Sequence, residues 1–170
     1  EVTNDPIVIA NANDVALCTG DTAILYGSGA STYLWNNGVV NNQFFVPIAS
    51  NNYVVMGTDN NGCSGYDSID VNVYEVPNIF LGNDTTICDS VDLLLDAGNS
   101  ASAFLWSNSS TAQQYLFSPS LPGIYTIWVE GNNNGTCFDS DTIDITVQDC
   151  TSSVNEVEGI DLNIYPSPAT

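Results

Sequence analysis

One internal duplication constrains the fold of this chain more than any other feature of its sequence. The hexapeptide NDVALC at 13–18 returns as NDTTIC at 83–88, and YLWNNG returns as FLWSNS further along. The stretch NNGCSGYDSIDVNV returns as NNGTCFDSDTIDITV, which aligns Cys63 with Cys137. Because the offset grows only from 70 to 74 residues, we infer one unit that occurs twice with small loop insertions.

The duplication predicts three regions. Residues 1–76 form repeat 1, residues 77–150 form repeat 2, and residues 151–170 form a linker and the start of a further element. In the alignment of the two repeats, Tyr53 corresponds to Tyr125.

Within each repeat the hydrophobic pattern alternates with a period of two. Runs such as DTAILYGSG and DSIDVNVYE are short and rich in β-branched and aromatic residues, and Asn, Gly and Ser turns separate them. Several strands within about 70 residues predict an all-β fold of two tandem antiparallel β-sandwiches. Trp35 and Trp106 occupy equivalent strand positions, and we assign one to each core. The order Cys, Trp, Cys in each repeat resembles that of immunoglobulin-like domains.

Five cysteines without a single histidine predict disulfides in an oxidising compartment and not a zinc site. We expect Cys18 to pair with Cys63 and Cys88 with Cys137, each bond stabilising its own repeat by roughly 3 to 4 kcal/mol. Cys150 is then left over, and two interpretations stay open. It is an exposed thiol, or it bonds to a neighbouring domain or chain.

The charge balance excludes several classes of function. The chain has 20 acidic residues and no Lys, Arg or His, so its formal net charge is −20. It therefore has no imidazole base, amine nucleophile or guanidinium group. Nucleic acids and anionic membrane surfaces are excluded as partners by repulsion, and no apolar run is long enough to span a membrane. The charge serves solubility, or the protein works where salt or divalent cations screen it.

The carboxylates do not form a recognisable catalytic pair. Asp67 and Asp70 in repeat 1, and Asp139 and Asp141 in repeat 2, lie near the starts of corresponding strands. A duplicated acidic strand start is typical of a solvated sheet edge and not of a glycosidase. We therefore predict that the chain is not an enzyme and requires no cofactor.

Calcium is the one metal that the composition suggests. It binds oxygen ligands, and Asp and Asn are concentrated in the turn that contains Asp59 and around Asp84. The same residues are favoured in turns for their own hydrogen bonds, so the calcium and turn interpretations both stand.

Alternation places an apolar stripe on the outer face of one sheet in each repeat. The candidate interface residues are Leu34, Val54, Met56, Leu105 and Trp128. The stripe packs against a loop or the sister repeat, or it makes a lateral contact with another protein or a glycan.

The stretches LGNDTTIC, FLWSNSST and NGTCFDSDTIDITV resemble the PKD-like or immunoglobulin-like repeats of large secreted adhesins and gliding-associated surface proteins of Bacteroidota. The final LNIYPSPAT resembles the opening of the C-terminal sorting domain of the type IX secretion system, with Ser167 where that family has Asn. The resemblance implies export across the outer membrane, an extracellular or cell-surface location and a longer parent protein.

The same resemblance implies O-glycosylation at triplets of Asp, Ser or Thr, and a small aliphatic residue or Thr. An ordinary strand start has the same pattern, so both interpretations stand. The candidate positions are Thr22, Ser68, Thr85, Ser90 and Thr142.

These observations favour a non-catalytic structural or adhesive module, a stalk or self-assembling fibre or surface-layer segment. Its expected partners are copies of itself, neighbouring repeats and the secretion machinery, with glycans as a further candidate. The alternative function is a carbohydrate-binding accessory module of a secreted enzyme.

Overall fold

The computed structural model describes residues 4–150, and the predicted all-β class is confirmed. Within these residues the only helical element is a short 3-10 turn at Asn36–Gly38. The strands are β1 (Ile9–Ala12), β2 (Ala16–Cys18), β3 (Ala23–Ser28), β4 (Thr32–Trp35), β5 (Phe44–Phe45), β6 (Asn51–Thr58), β7 (Ser64–Tyr74), β8 (Thr85–Cys88), β9 (Leu93–Asp96), β10 (Ala103–Trp106), β11 (Gln114–Phe117), β12 (Gly123–Asn133) and β13 (Cys137–Gln148). The predicted sorting sequence in 151–170 lies outside the described residues.

Repeat 1 is a sandwich of two sheets. A three-stranded sheet in the order β1-β3-β5 packs on a four-stranded sheet in the order β2-β7-β6-β4. Alternate residues of each strand point inward, so the core draws side chains from both sheets. Trp35 is 3% exposed and its indole N–H donates to Asn41 Oδ1 over 3.0 Å, which satisfies the polar atom of the buried ring. The buried core residues are Val8, Leu17, Ala23, Leu25, Trp35, Tyr53, Val55 and Val71.

Repeat 2 has the same plan with one difference. Its four-stranded sheet has the order β10-β12-β13-β8, but the facing sheet contains only β11 and β9. Trp106 is 1% exposed and donates to the Ala112 carbonyl over 2.7 Å, so the assignment of both tryptophans to cores is confirmed. The buried core residues are Ile79, Leu95, Ala97, Trp106, Phe117, Ile127, Val129, Ile143, Ile145 and Val147.

The sequence predicts antiparallel sandwiches, whereas each four-stranded sheet also contains one parallel strand pair. β2 runs parallel to β7, where Cys18 lies opposite Tyr74. β8 likewise runs parallel to β13, where Cys88 lies opposite Gln148. The cysteine that ends each early strand therefore lies beside the end of the last strand of its own repeat.

The duplication extends to backbone contacts. Tyr33 pairs with Gly57 and Phe104 pairs with Gly131, so the two glycines are equivalent. In this register the backbone position of Tyr53 corresponds to Ile127, because a loop insertion precedes this strand. The rings of Tyr53 and Tyr125 nevertheless make equivalent edge-to-face contacts, with Phe45 and Phe117 respectively. A Cβ at Gly131 would lie 2.6 Å from Ile79 Cδ1, so the first segment of the repeat packs directly on the glycine backbone.

We predict that Gly131→Ala destabilises repeat 2 by roughly 1 to 3 kcal/mol, because the added methyl overpacks this contact. Chemical denaturation of the purified chain measures the effect. Ser140→Ala, at an exposed position on β13, is the control and should change stability by less than about 0.5 kcal/mol. Equal stability of Gly131→Ala and the wild type would contradict the close approach.

The acidic residues near the strand starts accept hydrogen bonds from backbone amides, so they are more than a solvated sheet edge. Asp67 Oδ2 accepts from the Ala10 amide over 2.8 Å, and Asp141 Oδ2 accepts from the equivalent Leu81 amide at the same distance. Asp139 Oδ2 accepts from the Ile79 amide over 2.8 Å. These carboxylates fasten the first segment of each repeat to the four-stranded sheet, which is a structural use of the residues.

Hydrogen bonds from the amides of Ala10 and Ser68 hold the pKa of Asp67 below its ordinary value. A lowered pKa in the folded state means that this carboxylate stabilises the fold above about pH 4 and stops doing so as further acid protonates it. We therefore expect Asp67→Asn to lower the free energy of unfolding most at neutral pH, with a difference from the wild type that shrinks below about pH 4. Urea unfolding at several pH values measures this, and a difference independent of pH would contradict it.

Candidate functional site

The disulfides differ from the predicted pairs. Cys18 of repeat 1 bonds to Cys137 of repeat 2, with 5.5 Å between their Cα atoms. Cys88 bonds to Cys150, with 5.3 Å between Cα atoms. The predicted pairs Cys18–Cys63 and Cys88–Cys137 are therefore wrong, and Cys150 is neither left over nor bonded outside repeat 2. Neither of these two disulfides includes Cys63.

Strand direction explains the error. Cys18 lies beside Tyr74 at the end of β7, whereas Cys63 immediately precedes the first residue of that strand. A strand of 11 residues spans about 35 Å, while the Cα atoms of a disulfide lie within about 7 Å. A bond inside repeat 1 is thus sterically impossible, and the same reasoning applies to Cys88 and Cys137 at opposite ends of β13.

The inter-repeat disulfide lies at a junction with further contacts. Asn133 Nδ2 donates to the Glu75 carbonyl over 2.8 Å and to the Ser100 carbonyl over 3.0 Å, which ties the connecting segment to repeat 2. Cys137 is 1% exposed, so the bond is shielded at this end. A depression of about 420 Å³ lies alongside, between Tyr74 and Asn134. The covalent bond and the hydrogen bond from Asn133 to Glu75 therefore connect the repeats.

The two candidate calcium ligands lie in different repeats. Asp59 Oδ1 accepts from the amides of Asn61 and Cys63 over 2.8 and 2.9 Å, within the turn between β6 and β7. Asp84 Oδ1 accepts from the Asp144 amide over 3.0 Å. In residues 4–150 no three Asp, Glu, His or Cys side chains are grouped so that they could hold a metal. The structure does not bring these candidates together, and calcium binding stays a prediction.

The calcium hypothesis predicts that EGTA lowers the melting temperature and that millimolar CaCl₂ restores it. Asp84→Asn should abolish the difference between the two conditions if Asp84 is a ligand, while Asp92→Asn, at an exposed position, should retain it. Differential scanning calorimetry at constant ionic strength makes the comparison. A wild-type melting temperature that EGTA leaves unchanged would end the hypothesis.

Three of the five candidate interface residues come together, all of them in repeat 1. Leu34, Val54 and Met56 surround an apolar depression of about 260 Å³, and Tyr66 completes it. Leu34 and Met56 are cross-strand neighbours, as are Met56 and Tyr66. Tyr66 was missed by sequence reasoning, although its cross-strand position follows from the hairpin register.

In repeat 2 the apolar stripe is interrupted. Leu105 is 43% exposed, but it lies opposite Glu130, which occupies the position that Met56 has in repeat 1. Trp128 is 40% exposed and lies opposite Thr142. The predicted recurrence of the stripe is therefore wrong at this position, and a contact through Leu34, Val54, Met56, Leu105 or Trp128 stays a prediction.

The candidate glycosylation positions lie at the surface to different degrees. Thr85 is half-buried in β8, whereas the other four are exposed. Surface exposure is compatible with modification and also with an ordinary strand start, so glycosylation stays a prediction. The exposed positions are Thr22, Ser68, Ser90 and Thr142.

Sequence reasoning missed a polar depression in repeat 2. It has a volume of about 530 Å³, and Asp96, Gln113 and Phe80 are among the residues that line it. Asp96 accepts from Gln114 Nε2 over 2.8 Å, from Gln113 Nε2 over 3.0 Å and from the Gly98 amide over 2.8 Å. These bonds hold the pKa of Asp96 below its ordinary value, so the carboxylate is charged at neutral pH.

Solved structures similar to this chain include immunoglobulin domains and fibronectin III-like modules. The N-terminal eight domains of Down syndrome cell adhesion molecule isoform 1.30.30 match with a TM-score of 0.57 at 13% identity, over 85% of this chain and 25% of that one. Murine CEACAM1b matches with a TM-score of 0.47 at 13% identity, over 84% of this chain and 100% of that one. The insect immune protein hemolin matches with a TM-score of 0.44 at 14% identity, over 86% of this chain and 47% of that one.

The first of these matches confirms the predicted immunoglobulin-like fold, and at such identity it shows the fold alone. This chain spans about a quarter of the length of that structure. No family model matches the chain, and no curated protein matches it. Within residues 4–150, no helix is long and apolar enough to cross a membrane.

Proposed function

We propose that the chain is a non-catalytic extracellular spacer whose two repeats are clamped by one covalent bond, so that it keeps its length under tension. The observation that carries this proposal is the disulfide between Cys18 and Cys137. A bond within either repeat would stabilise that repeat alone. A bond between the repeats also sets the distance over which the tandem can be pulled.

The position of the bond determines how tension passes through the chain. Pulled from its two ends, the chain transmits force from its first residues to Cys18, across the disulfide to Cys137, and on towards Cys150. The 118 residues between Cys18 and Cys137, one fewer than their separation of 119, lie outside this covalent path. Strands β3 to β12 belong to that segment and carry no covalent tension.

The second disulfide reinforces this arrangement. Cys88 and Cys150 are 62 residues apart, and their bond attaches the start of repeat 2 to the end of the same repeat. By the chain-entropy argument, closing loops of these sizes stabilises the folded state by roughly 4 to 5 kcal/mol for each bond. The two bonds help offset the self-repulsion of a chain with a net charge of −20.

The compartment and route of export belong to this proposal. Two disulfides require an oxidising environment, which supports a secreted or cell-surface location. The resemblance of 162–170 to a type IX sorting domain supports export in a bacterium of the Bacteroidota, with PKD-like repeats as part of a longer surface protein. The apolar depression of Leu34, Val54 and Met56 is the surface that we assign to lateral contact with neighbouring protein.

Single-molecule force spectroscopy tests the spacer. The full chain, tethered at both ends, should show no extension of the 118-residue segment while it is oxidised. The double variant Cys18→Ser, Cys137→Ser should lengthen by about 200 Å, because the Cys88–Cys150 bond still excludes 61 residues from the path. Full reduction of the wild type should release about 400 Å.

The matched control is the double variant Cys88→Ser, Cys150→Ser. It loses one disulfide as well, yet the path through Cys18 and Cys137 is unchanged, so its oxidised length should equal that of the wild type. An oxidised wild type that releases 200 Å or more would contradict the clamp and, with it, the spacer function.

A further inference from the structure

The polar depression in repeat 2 exists because one strand pairing of repeat 1 is missing there. In repeat 1, β1 pairs with β3 from Ile9 opposite Ser28 to Ala12 opposite Leu25, and this pairing closes the edge of the sheet. In the described part of repeat 2, β9 pairs with β11 alone. Asp139 and Asp141 fasten the segment through Phe80 to β13, as Asp67 fastens the first segment of repeat 1 to β7. A gap of about 530 Å³ therefore stays open between this segment and the end of β9.

The gap combines an aromatic surface with fixed polar groups. Phe80 is 65% exposed, so its ring is accessible to a ligand. Ser100 joins the two sides, since its hydroxyl accepts from the Asn78 amide and donates to the Asn78 carbonyl, both over 2.9 Å. Asp96 is held by its three hydrogen bonds, and Gln113 is oriented by one of them. The walls are thus positioned before any ligand arrives.

We propose that this depression binds a neutral saccharide. A pyranose ring has an apolar face of C–H groups, which matches an exposed aromatic ring such as Phe80, and hydroxyls around its edge. Asp96 accepts hydrogen bonds from hydroxyls, and the side-chain amides of Asn78 and Asn99 can donate and accept. Phe80 and these polar residues all line the same gap, so one sugar can contact the ring and the polar groups together.

Charge narrows the class of ligand. The chain contains no basic residue, and Asp96 places a negative charge inside the depression. Phosphorylated, sulfated and uronic-acid sugars would be repelled both by this carboxylate and by the net charge of −20. The proposal goes beyond the spacer function and is independent of it, because none of the four cysteines in the two disulfides lines the depression.

Affinity electrophoresis on native gels tests the site. The chain carries enough charge to migrate freely, and the gels contain hydroxyethyl cellulose, galactomannan or xylan as neutral polymers and alginate as the anionic polymer. We expect at least one neutral polymer to retard the wild type and alginate to leave it unaffected. Phe80→Ala should weaken the retarding interaction roughly tenfold, and Gln113→Ala should weaken it by a smaller factor.

Phe44→Ala is the matched control, because Phe44 is 73% exposed on β5 of repeat 1 and should leave retardation unchanged. Melting curves establish whether each variant is folded. If Phe80→Ala does not fold, Gln113→Ala takes its place as the variant that tests the site. The proposal is overturned if none of the three neutral polymers retards the wild type, if alginate retards it equally, or if folded Phe80→Ala is retarded like the wild type. None of these results would alter the expected force measurements, so the two proposals fail separately.

Discussion

The disulfide between Cys18 and Cys137 is the interaction on which the relation between the two repeats depends. Each sandwich packs around its own tryptophan and has its own core, so neither needs the other to bury its apolar side chains. At the same junction Asn133 donates a hydrogen bond to the Glu75 carbonyl, and this bond alone would contribute only modestly. The covalent bond links the two domains, and in the proposed spacer it leaves most of both sandwiches outside the path of tension.

A chain without basic residues has to stabilise its carboxylates in another way. No side chain can form an ion pair with them, and the structure supplies N–H donors instead. Backbone amides at Ala10 and Leu81 bind Asp67 and Asp141, and the amide groups of Gln113 and Gln114 bind Asp96. Hydrogen bonds to a charged acceptor are stronger than neutral ones, so each carboxylate fastens the element that donates to it.

Much of the fold could be predicted from local pattern. Alternating apolar residues, Asn and Gly turns and the repeated Trp35 and Trp106 suffice for two all-β sandwiches, because inward-facing positions recur every second residue. The register was less predictable. Tyr53 was matched to Tyr125 by residue type, yet the hairpin pairs place it at Ile127, since a loop insertion leaves no mark on the strand that follows it.

The sequence by itself determined the fold class, the duplication, the core tryptophans and the absence of cationic chemistry, all of which follow from composition and local periodicity. Only the tertiary structure decided which cysteines meet. Cys63 and Cys137 occupy equivalent sequence positions near the start of the last strand of each repeat, so sequence spacing favoured bonds within each repeat. The parallel pairing of β2 with β7 places Cys18 a full strand length from Cys63 and beside the junction, where Cys137 of repeat 2 lies within bonding distance. The depression beside Phe80 has the same kind of origin, because a missing strand pair between distant segments is a property of the assembled sheet and not of either segment.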